Sequence, residues 1–458
     1  MNPFQSILEK QRVFFDSGAT RSYEFRRERI EHLLSVIEKY ENDVMQSLKQ
    51  DLNKPDFEGF LSEIGFIYDE IEHCLKFLHK WMKPKRVHTP LLYFPSSSYI
   101  HHEPLGQVLI IGAWNYPFQL TLAPLIGALA AGNCVVLKPS ELSPATNVII
   151  EKIMTEAFLP EHVTVVQGDG RVVVPQLLDH HRFDHIFYTG GITAGRFIAE
   201  AAAKTLTSVT LELGGKSPCI VDDDCNIDVA ARRIFWGKFF NAGQSCIAPD
   251  YVLVHRSIKD QLIDRLRRCA ADFFDENASE SRDYSSIVNI RHFDRLVNLI
   301  EGSDILIGGE SDREKLFIAP TIISATPDDA VMADEIFGPI LPILTYDHLD
   351  DAITIIHQRP WPLSLYLFTN DHHTEEKILN GVVFGNGCVN DTLVHFVNSN
   401  LPFGGAGFSG MGAYHGHYSF ETFSRRRSLM RTPVWPDIPI RYPPYKNKLN
   451  LIKKLFYS

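Results

Sequence analysis

The sequence has no CxxC pair, and its seven cysteines (Cys74, Cys134, Cys219, Cys225, Cys246, Cys269 and Cys388) are odd in number and scattered. That pattern argues against a disulfide framework or a structural zinc site, so no metal and a reducing, cytoplasmic setting are expected. A basic excess is also missing. The 45 Lys and Arg against 56 Asp and Glu leave a net charge of −11, which gives a nucleic-acid role little electrostatic support and points to small-molecule partners. Met1 to Gln11 lack the apolar core of a signal peptide, since Glu9 and Lys10 stand there. Charge is wholly absent from Gly106 to Leu137, a stretch long enough to span a bilayer. Its punctuation excludes a stable membrane span: Val108 to Ile111 and Cys134 to Leu137 read as strands, Gly112 to Pro117 as a turn, and Leu120 to Ala131 as a buried helix.

The 458 residues are 45% hydrophobic and 22% charged, with ordinary counts of 29 Gly and 26 Pro. Such a chain is globular and, at roughly 150 residues per domain, makes about three packed units. The first eighty residues carry apolar positions at helical spacing, including Phe14, Phe25, Ile30, Leu33, Leu34 and Ile37, then Ile64, Ile67, Ile71, Leu75 and Leu78. From about Tyr99, short apolar runs alternate with helical stretches, as βαβ units do: Gln107 to Ile111, Cys134 to Leu137, Val163 to Val166 and His185 to Tyr188. A second α/β texture follows, with strands expected at Val209 to Leu213, Pro218 to Val221, Tyr251 to Val254, Ile340 to Tyr346, Leu365 to Thr369 and Gly387 to Asn390. The last forty residues turn basic and Pro-rich.

Four local patterns could carry chemistry. Tyr188-Thr-Gly-Gly-Ile-Thr-Ala-Gly195 follows a strand and opens the helical Arg196 to Lys204. Glycine there lets backbone approach a phosphate at a helix N-terminus, but the spacing is not GxGxxG, and simple chain reversal explains it as well. Most cysteines are small buried hydrophobes, which suits Cys134 and Cys219; Cys246, in the small and polar Asn241-Ala-Gly-Gln-Ser-Cys246, does not fit that description. Glu212, framed by leucines in Leu211-Glu-Leu-Gly-Gly215, is either ion-paired or a carboxyl of raised pKa suited to general-base work. Glu335 in Glu335-Ile-Phe-Gly-Pro339, an acid against an aromatic and a turn, reads slightly more readily as a solvated loop acid.

The motifs taken in order are more specific than any one of them. Trp114-Asn-Tyr-Pro117, Leu137-Lys-Pro-Ser-Glu141, Thr189-Gly-Gly191, Leu211 to Pro218, Gly243-Gln-Ser-Cys246, Glu335 to Pro339 and Leu401-Pro-Phe-Gly-Gly405 closely resemble the aldehyde dehydrogenase superfamily over nearly the whole chain. The short start, Ile247-Ala-Pro-Asp250, Gly410 to Gly416 and Arg441-Tyr-Pro-Pro-Tyr445 are similar to its class 3 branch, which acts on fatty or aromatic aldehydes. Tyr188, where that branch commonly has Phe, and His417, where Lys is usual, depart from it.

The resemblance implies an aldehyde dehydrogenase-like α/β fold with a Rossmann-like cofactor domain (1–82 and 104–209), an α/β catalytic domain (210–400), oligomerisation elements (83–103 and 401–430) that pair subunits into a homodimer, and a tail (431–458). It implies NAD(P)-dependent aldehyde oxidation, with Cys246 as nucleophile, the Asn115 side chain and Cys246 N–H as oxyanion donors, and Glu212 as the base that hydrolyses the thioester. NAD is expected as cofactor with NADP also usable, held by Lys138 and Glu141 at the adenosine ribose, by Gly190, Gly191, Thr193 and Gly195 at the turn, and by Glu335, Phe337 and Phe403 at the nicotinamide half. Glu335 could instead share the base role. Tyr68, Tyr116 and Trp236 are expected to wall an aldehyde tunnel. CoA rather than water as acyl acceptor, or a catalytically silent relative, are the alternatives; an available base at Glu212 and the complete residue set weigh against them. In the tail, Leu449, Ile452, Leu455 and Phe456 form a lysine-flanked apolar stripe, expected to dock on protein near the tunnel mouth rather than on lipid.

Overall fold

The computed structural model describes residues 4–274 and 278–456. Three helices lead: Gln5–Asp16, the thirty-residue Tyr23–Leu52 and Gly65–Met82. Ser22 starts the second by accepting the Phe25 N–H at 3.1 Å, and Asn53 ends it in the left-handed conformation.

The uncharged stretch resolves as its turn chemistry predicts. Strand Gln107–Ile111 leads through a loop into helix Gln119–Ala131, buried along its whole length, and on to strand Cys134–Lys138. Among the described residues no helix is long and apolar enough to cross a membrane. These strands belong to a six-stranded sheet ordered Gly410–Met411, Ser208–Glu212, His185–Thr189, Gln107–Ile111, Cys134–Lys138, Val163–Val165. Its last five strands run parallel in the Rossmann order, so the direction in which successive strands are added reverses between Gln107–Ile111 and His185–Thr189. A crevice opens beyond the carboxyl ends of strands at such a reversal.

The second sheet has seven strands, in the order Asp304–Ile307, Thr321–Ser324, Ile340–Tyr346, Tyr251–His255, Pro218–Val221, Ser364–Phe368, Asn386–Val389. A third joins Lys85–Val87, Ser97–Pro104 and Ser424–Arg431. The ten expected strands are all present within a residue or so of their predicted bounds. Those that composition did not announce are polar or very short, such as Ser97–Pro104, Gly410–Met411 and the arginine-rich Ser424–Arg431. They form because a neighbouring strand offers a register, not because their own pattern demands it.

One expectation is corrected. The helix after the glycine turn begins at Ile192, not Arg196, so Thr193 and Gly195 lie in its first turn rather than in the loop. The tail forms a helix at Lys448–Phe456, and Trp435, Leu449, Leu451 and Phe456 remain exposed on the single chain; the Leu455 side chain lies outside the described residues.

Arg26 secures the far end of the buried helix that leads from the crevice. Its guanidinium is buried and donates to the Thr20 and Ala130 carbonyls, both at 2.9 Å, beside the left-handed Gly132. Arg26→Leu leaves these carbonyls without that donor and should cost about 1–3 kcal/mol, read as a lower midpoint in thermal unfolding.

Candidate active site

Strand Ser208–Glu212 ends at the crevice and delivers Glu212, which is 3% exposed, into it. Both Glu212 carboxyl oxygens are buried without a hydrogen-bond partner, and burial drives its pKa well above the usual carboxylate range. Cys246 lies in the loop after helix Ile227–Phe239, past the left-handed Asn241 and Ala242. Burial pushes its thiol well up, Glu335 and then Glu212 push the same way, and the N–H groups of Cys246 and Ile247 pull back. These influences together favour the protonated sulfur.

Glu335 completes the group. Burial and the neighbouring Asp250 carry it up to about 8, against the Gly215 N–H and the charges of Lys216 and Lys238. A Cβ on Gly214 would fall 2.0 Å from a Glu335 oxygen, so glycine is required there for the carboxyl to stand where it does. Beneath lies a buried ion pair, Lys216 to Asp250 at 2.6 Å. Lys216 also donates to the carbonyls of Val331 and Asp334, and Asp250 accepts the Ile336 N–H, which ties down the loop that carries Glu335.

Asn115 sits 2% exposed in the loop after Gln107–Ile111. Its Nδ2 donates to the Gln244 carbonyl at 3.1 Å, two residues before Cys246, which leaves its second amide hydrogen for another acceptor. The structure thus brings Asn115 to the same loop as the thiol, whose ionisation is opposed by Glu212 and Glu335.

A second set surrounds the sheet's switch point. Lys138 ends its strand and pairs with Glu141 at 2.5 Å, while the Gly170 N–H reaches the other Glu141 oxygen at 3.2 Å. Burial alone would raise Glu141, but Lys138 and Gly170 hold it below the usual carboxylate range. No side chain caps helix Ile192–Ala203, and a Cβ built on Gly191, its N-cap, would meet no atom within 4 Å. Nearby, the Thr189 hydroxyl is buried without a partner. Free N–H groups, open space, an unspent hydroxyl and a charged pair suit a dinucleotide, with its pyrophosphate at the helix end and a ribose at Lys138 and Glu141. Tyr188 donates its hydroxyl to the Gly191 carbonyl at 3.3 Å and occupies the place of any side chain on Gly190.

Among the aromatic residues, Phe337 meets Trp114 edge-on at 5.3 Å and Phe403 stacks on His415 at 5.4 Å. Tyr116 shares a hydrogen bond with Ser245, next to the thiol, and Trp236 packs edge-on against Phe240. Tyr68 is turned elsewhere: its hydroxyl donates to Glu41 at 2.7 Å, which leaves only its ring to line a passage. Sequence reasoning did not assign roles to Lys216, Asp250, Lys238 or Tyr414. Lys238 is fully buried with no partner for Nζ, and burial lowers it to about 8. Tyr414 is buried where Glu212 and Cys246 both oppose its ionisation. A lysine beside paired glycines in an apolar frame was the available signal for Lys216.

The family model described as "Aldehyde dehydrogenase family" matches residues 5–429. This chain belongs to the aldehyde dehydrogenase family. The chain is 46% identical to the 4,4'-diaponeurosporen-aldehyde dehydrogenase of Staphylococcus aureus, with all of both chains covered. It is 44% identical to the dimeric NADP-preferring aldehyde dehydrogenase of mouse, over 98% of this chain and 99% of that one. The structure described as the substrate-bound state of Staphylococcus aureus AldH superposes with a TM-score of 0.98 at 46% identity, with all of both chains covered. The family's activity is NAD(P)-dependent aldehyde oxidation, and this member is an aldehyde-oxidising enzyme with the family's α/β fold.

The raised pKa of Glu335 has a consequence for stability. Unfolded, the carboxyl ionises near its ordinary value; folded, it keeps its proton up to about 8. Between those values the folded state binds the extra proton, so this group's contribution to stability falls as pH rises. Glu335→Gln should remove that component, flattening the stability profile between pH 5 and 8 by up to about 1.4 kcal/mol per pH unit, as measured by chemical unfolding at a series of pH values.

Proposed function

We propose that this enzyme oxidises medium- and long-chain aliphatic or aromatic aldehydes to carboxylic acids, with Cys246 as nucleophile, Asn115 as oxyanion donor and Glu212 as the deacylating base. The carrying observation is Glu212 itself, whose buried carboxyl has no hydrogen-bond partner and lies close enough to Cys246 to oppose its ionisation. A carboxyl that nothing in the protein engages is available to a water molecule. The same feature disfavours a CoA-acylating enzyme, which needs no base for water, and a silent relative, which has no use for the cost of burying it.

In this reading the Cys246 thiol loses its proton to solvent as the sulfur attacks the aldehyde carbon. The oxyanion of the thiohemiacetal then takes the free amide hydrogen of Asn115 and the Cys246 N–H. Bound NAD(P) supplies the hydride acceptor. Glu335, Phe337 and Phe403 hold the nicotinamide half, Lys138 and Glu141 the adenosine ribose, and Gly190, Gly191, Thr193 and Gly195 shape the turn and first helical turn at the pyrophosphate. Once the carbon is oxidised, the ionised form of Glu212 takes a proton from the water that attacks the thioester and returns it to the departing sulfur, giving acid and free thiol. Tyr116 and Trp236, and Tyr68 through its ring, wall the approach.

The cofactor unit comprises 1–82 and 104–209, the catalytic unit 210–400, the oligomerisation elements 83–103 and 401–430, and the tail 431–458. The separate three-stranded sheet supports that division. A homodimer is supported by the unpaired edge of Ser424–Arg431, exposed along nearly its whole length, followed by Val434 and Trp435 at 95% and 84% exposure. Seven unpaired cysteines support a cytoplasmic location.

Cys246→Ala should abolish NADH formation while dinucleotide binding, followed by fluorescence titration, persists. Glu212→Gln should leave a rapid burst of NADH followed by a steady phase slowed by about 100-fold or more; equal loss of both phases would place Glu212 before acylation. NAD should have the higher specificity constant with NADP usable, because an ionised Glu141 repels a 2′-phosphate that Lys138 tolerates. Glu141→Gln should shift that ratio toward NADP, measured as kcat/KM for the two dinucleotides.

A further inference from the structure

The loops that carry Asn115 and Cys246 are both held from behind by one short piece of the N-terminal helical region. Lys54 and Glu63 form an ion pair at 2.6 Å with both side chains completely buried. Lys54 Nζ also donates to the main-chain carbonyl of Asn115 at 3.1 Å. The second Glu63 oxygen accepts the N–H groups of Phe118 and Gln119, at 3.1 and 2.9 Å, where the buried helix begins. A single ion pair thus grips the Asn115 loop at the residue itself and three residues beyond it.

Glu58 acts on the other loop. It accepts the N–H of Asn241 at 2.9 Å, and the Asn241 side chain in turn donates to the Asn115 and Gln244 carbonyls at 3.0 and 3.1 Å. Asn241 is left-handed, with φ of 53°, a conformation uncommon outside glycine that asparagine tolerates better than most residues, and here its side chain and N–H are both engaged. Glu58 and Glu63 are five residues apart, which would set them about 140° apart on an α-helix. Here the turn Phe60–Ile64 is wound as a π-helix, with the Gly65 N–H bonded to the Phe60 carbonyl. Bonding from i to i+5 turns residues five apart toward one face, and such turns recur at functional sites. Burying an ion pair costs desolvation that apolar residues would avoid, so stability alone is a weak reason for it.

We propose that Lys54, Glu58 and Glu63 are positioning residues that set the oxyanion pocket by fixing the Asn115 loop against the Cys246 loop. The inference rests on the reading of Asn115 as oxyanion donor. None of the three touches substrate; they act through Asn115 and Asn241. Misplacing a donor by about 1 Å can cost on the order of 100-fold in rate, so the effect belongs in the first hydride transfer and not in dinucleotide affinity.

The test is a double-mutant cycle read by rapid mixing at saturating NAD and benzaldehyde. Lys54→Met with Glu63→Gln removes both charges together and leaves neither unpaired. The expected result is a burst rate lowered by about 10- to 100-fold, with KM for NAD within about twofold of the parent and a similar melting temperature. In an Asn115→Ala background the same pair of changes should cost less than about twofold, because the donor they aim is gone. An undiminished burst rate in the pair, or an equal loss in both backgrounds, overturns the proposal. An undiminished burst in Asn115→Ala alone overturns the oxyanion reading and this inference with it. Should the pair fail to fold, Glu63→Gln alone, which keeps an acceptor for the helix N–H groups, enters the same cycle with an expected loss of about threefold or more; no loss there overturns the proposal equally.

Discussion

The withdrawal from water of Glu212, which is buried, and of Glu335 and Cys246, which are half-buried beside it, sets the constraint around which the site is built. Each group is pushed toward its neutral form by removal from water, and Glu335 and Glu212 further oppose ionisation of Cys246. Such an arrangement holds only if the surrounding backbone leaves it no room to relax. Gly214 passes so close to Glu335 that no side chain fits between them. Gly243 runs against the Gly338 carbonyl, with only 2.3 Å for a Cβ, so the loop of the thiol and the loop of Glu335 are locked backbone to backbone. The Lys216–Asp250 pair fastens the same loop from below.

The two sheets divide the remaining work. The parallel six-stranded sheet presents the open end of helix Ile192–Ala203 and the Lys138–Glu141 pair at its switch point. The seven-stranded sheet carries the loops of Cys246 and Glu335. Glu212 stands where the first sheet gives way to the second, since its strand pairs with the six-stranded sheet while Pro218–Val221, a few residues on, lies within the seven-stranded one.

Much of this was legible from the sequence because buried parallel strands and their turns are written in contiguous residues. The runs at Gln107, Cys134, His185 and Pro218 need only local reading, as do the glycines around Glu212. Cys246 and Glu212 stood out because each violates its local setting, a thiol among small polar residues and an acid among leucines. Lys54, Glu58 and Glu63 did not stand out. On a helical reading they are ordinary charges on a solvated face, and the π-wound turn that follows Glu58 and carries Glu63 leaves no signature in composition. Strands Ser97–Pro104 and Ser424–Arg431 were silent for a related reason: they pair with each other across more than three hundred residues, and neither alternates in the way a half-buried strand does.

The pairing of Gly410–Met411 with Leu211 and Glu212 has a bearing on how the protein is made. The strand that carries Glu212 is completed by a partner that leaves the ribosome roughly two hundred residues later, a delay on the order of ten to forty seconds at ordinary elongation rates. Until then that edge of the cofactor sheet presents unsatisfied backbone groups to whatever is nearby. The nascent chain therefore stays most vulnerable to wrong strand addition beside Glu212, and chaperone binding during synthesis should concentrate there.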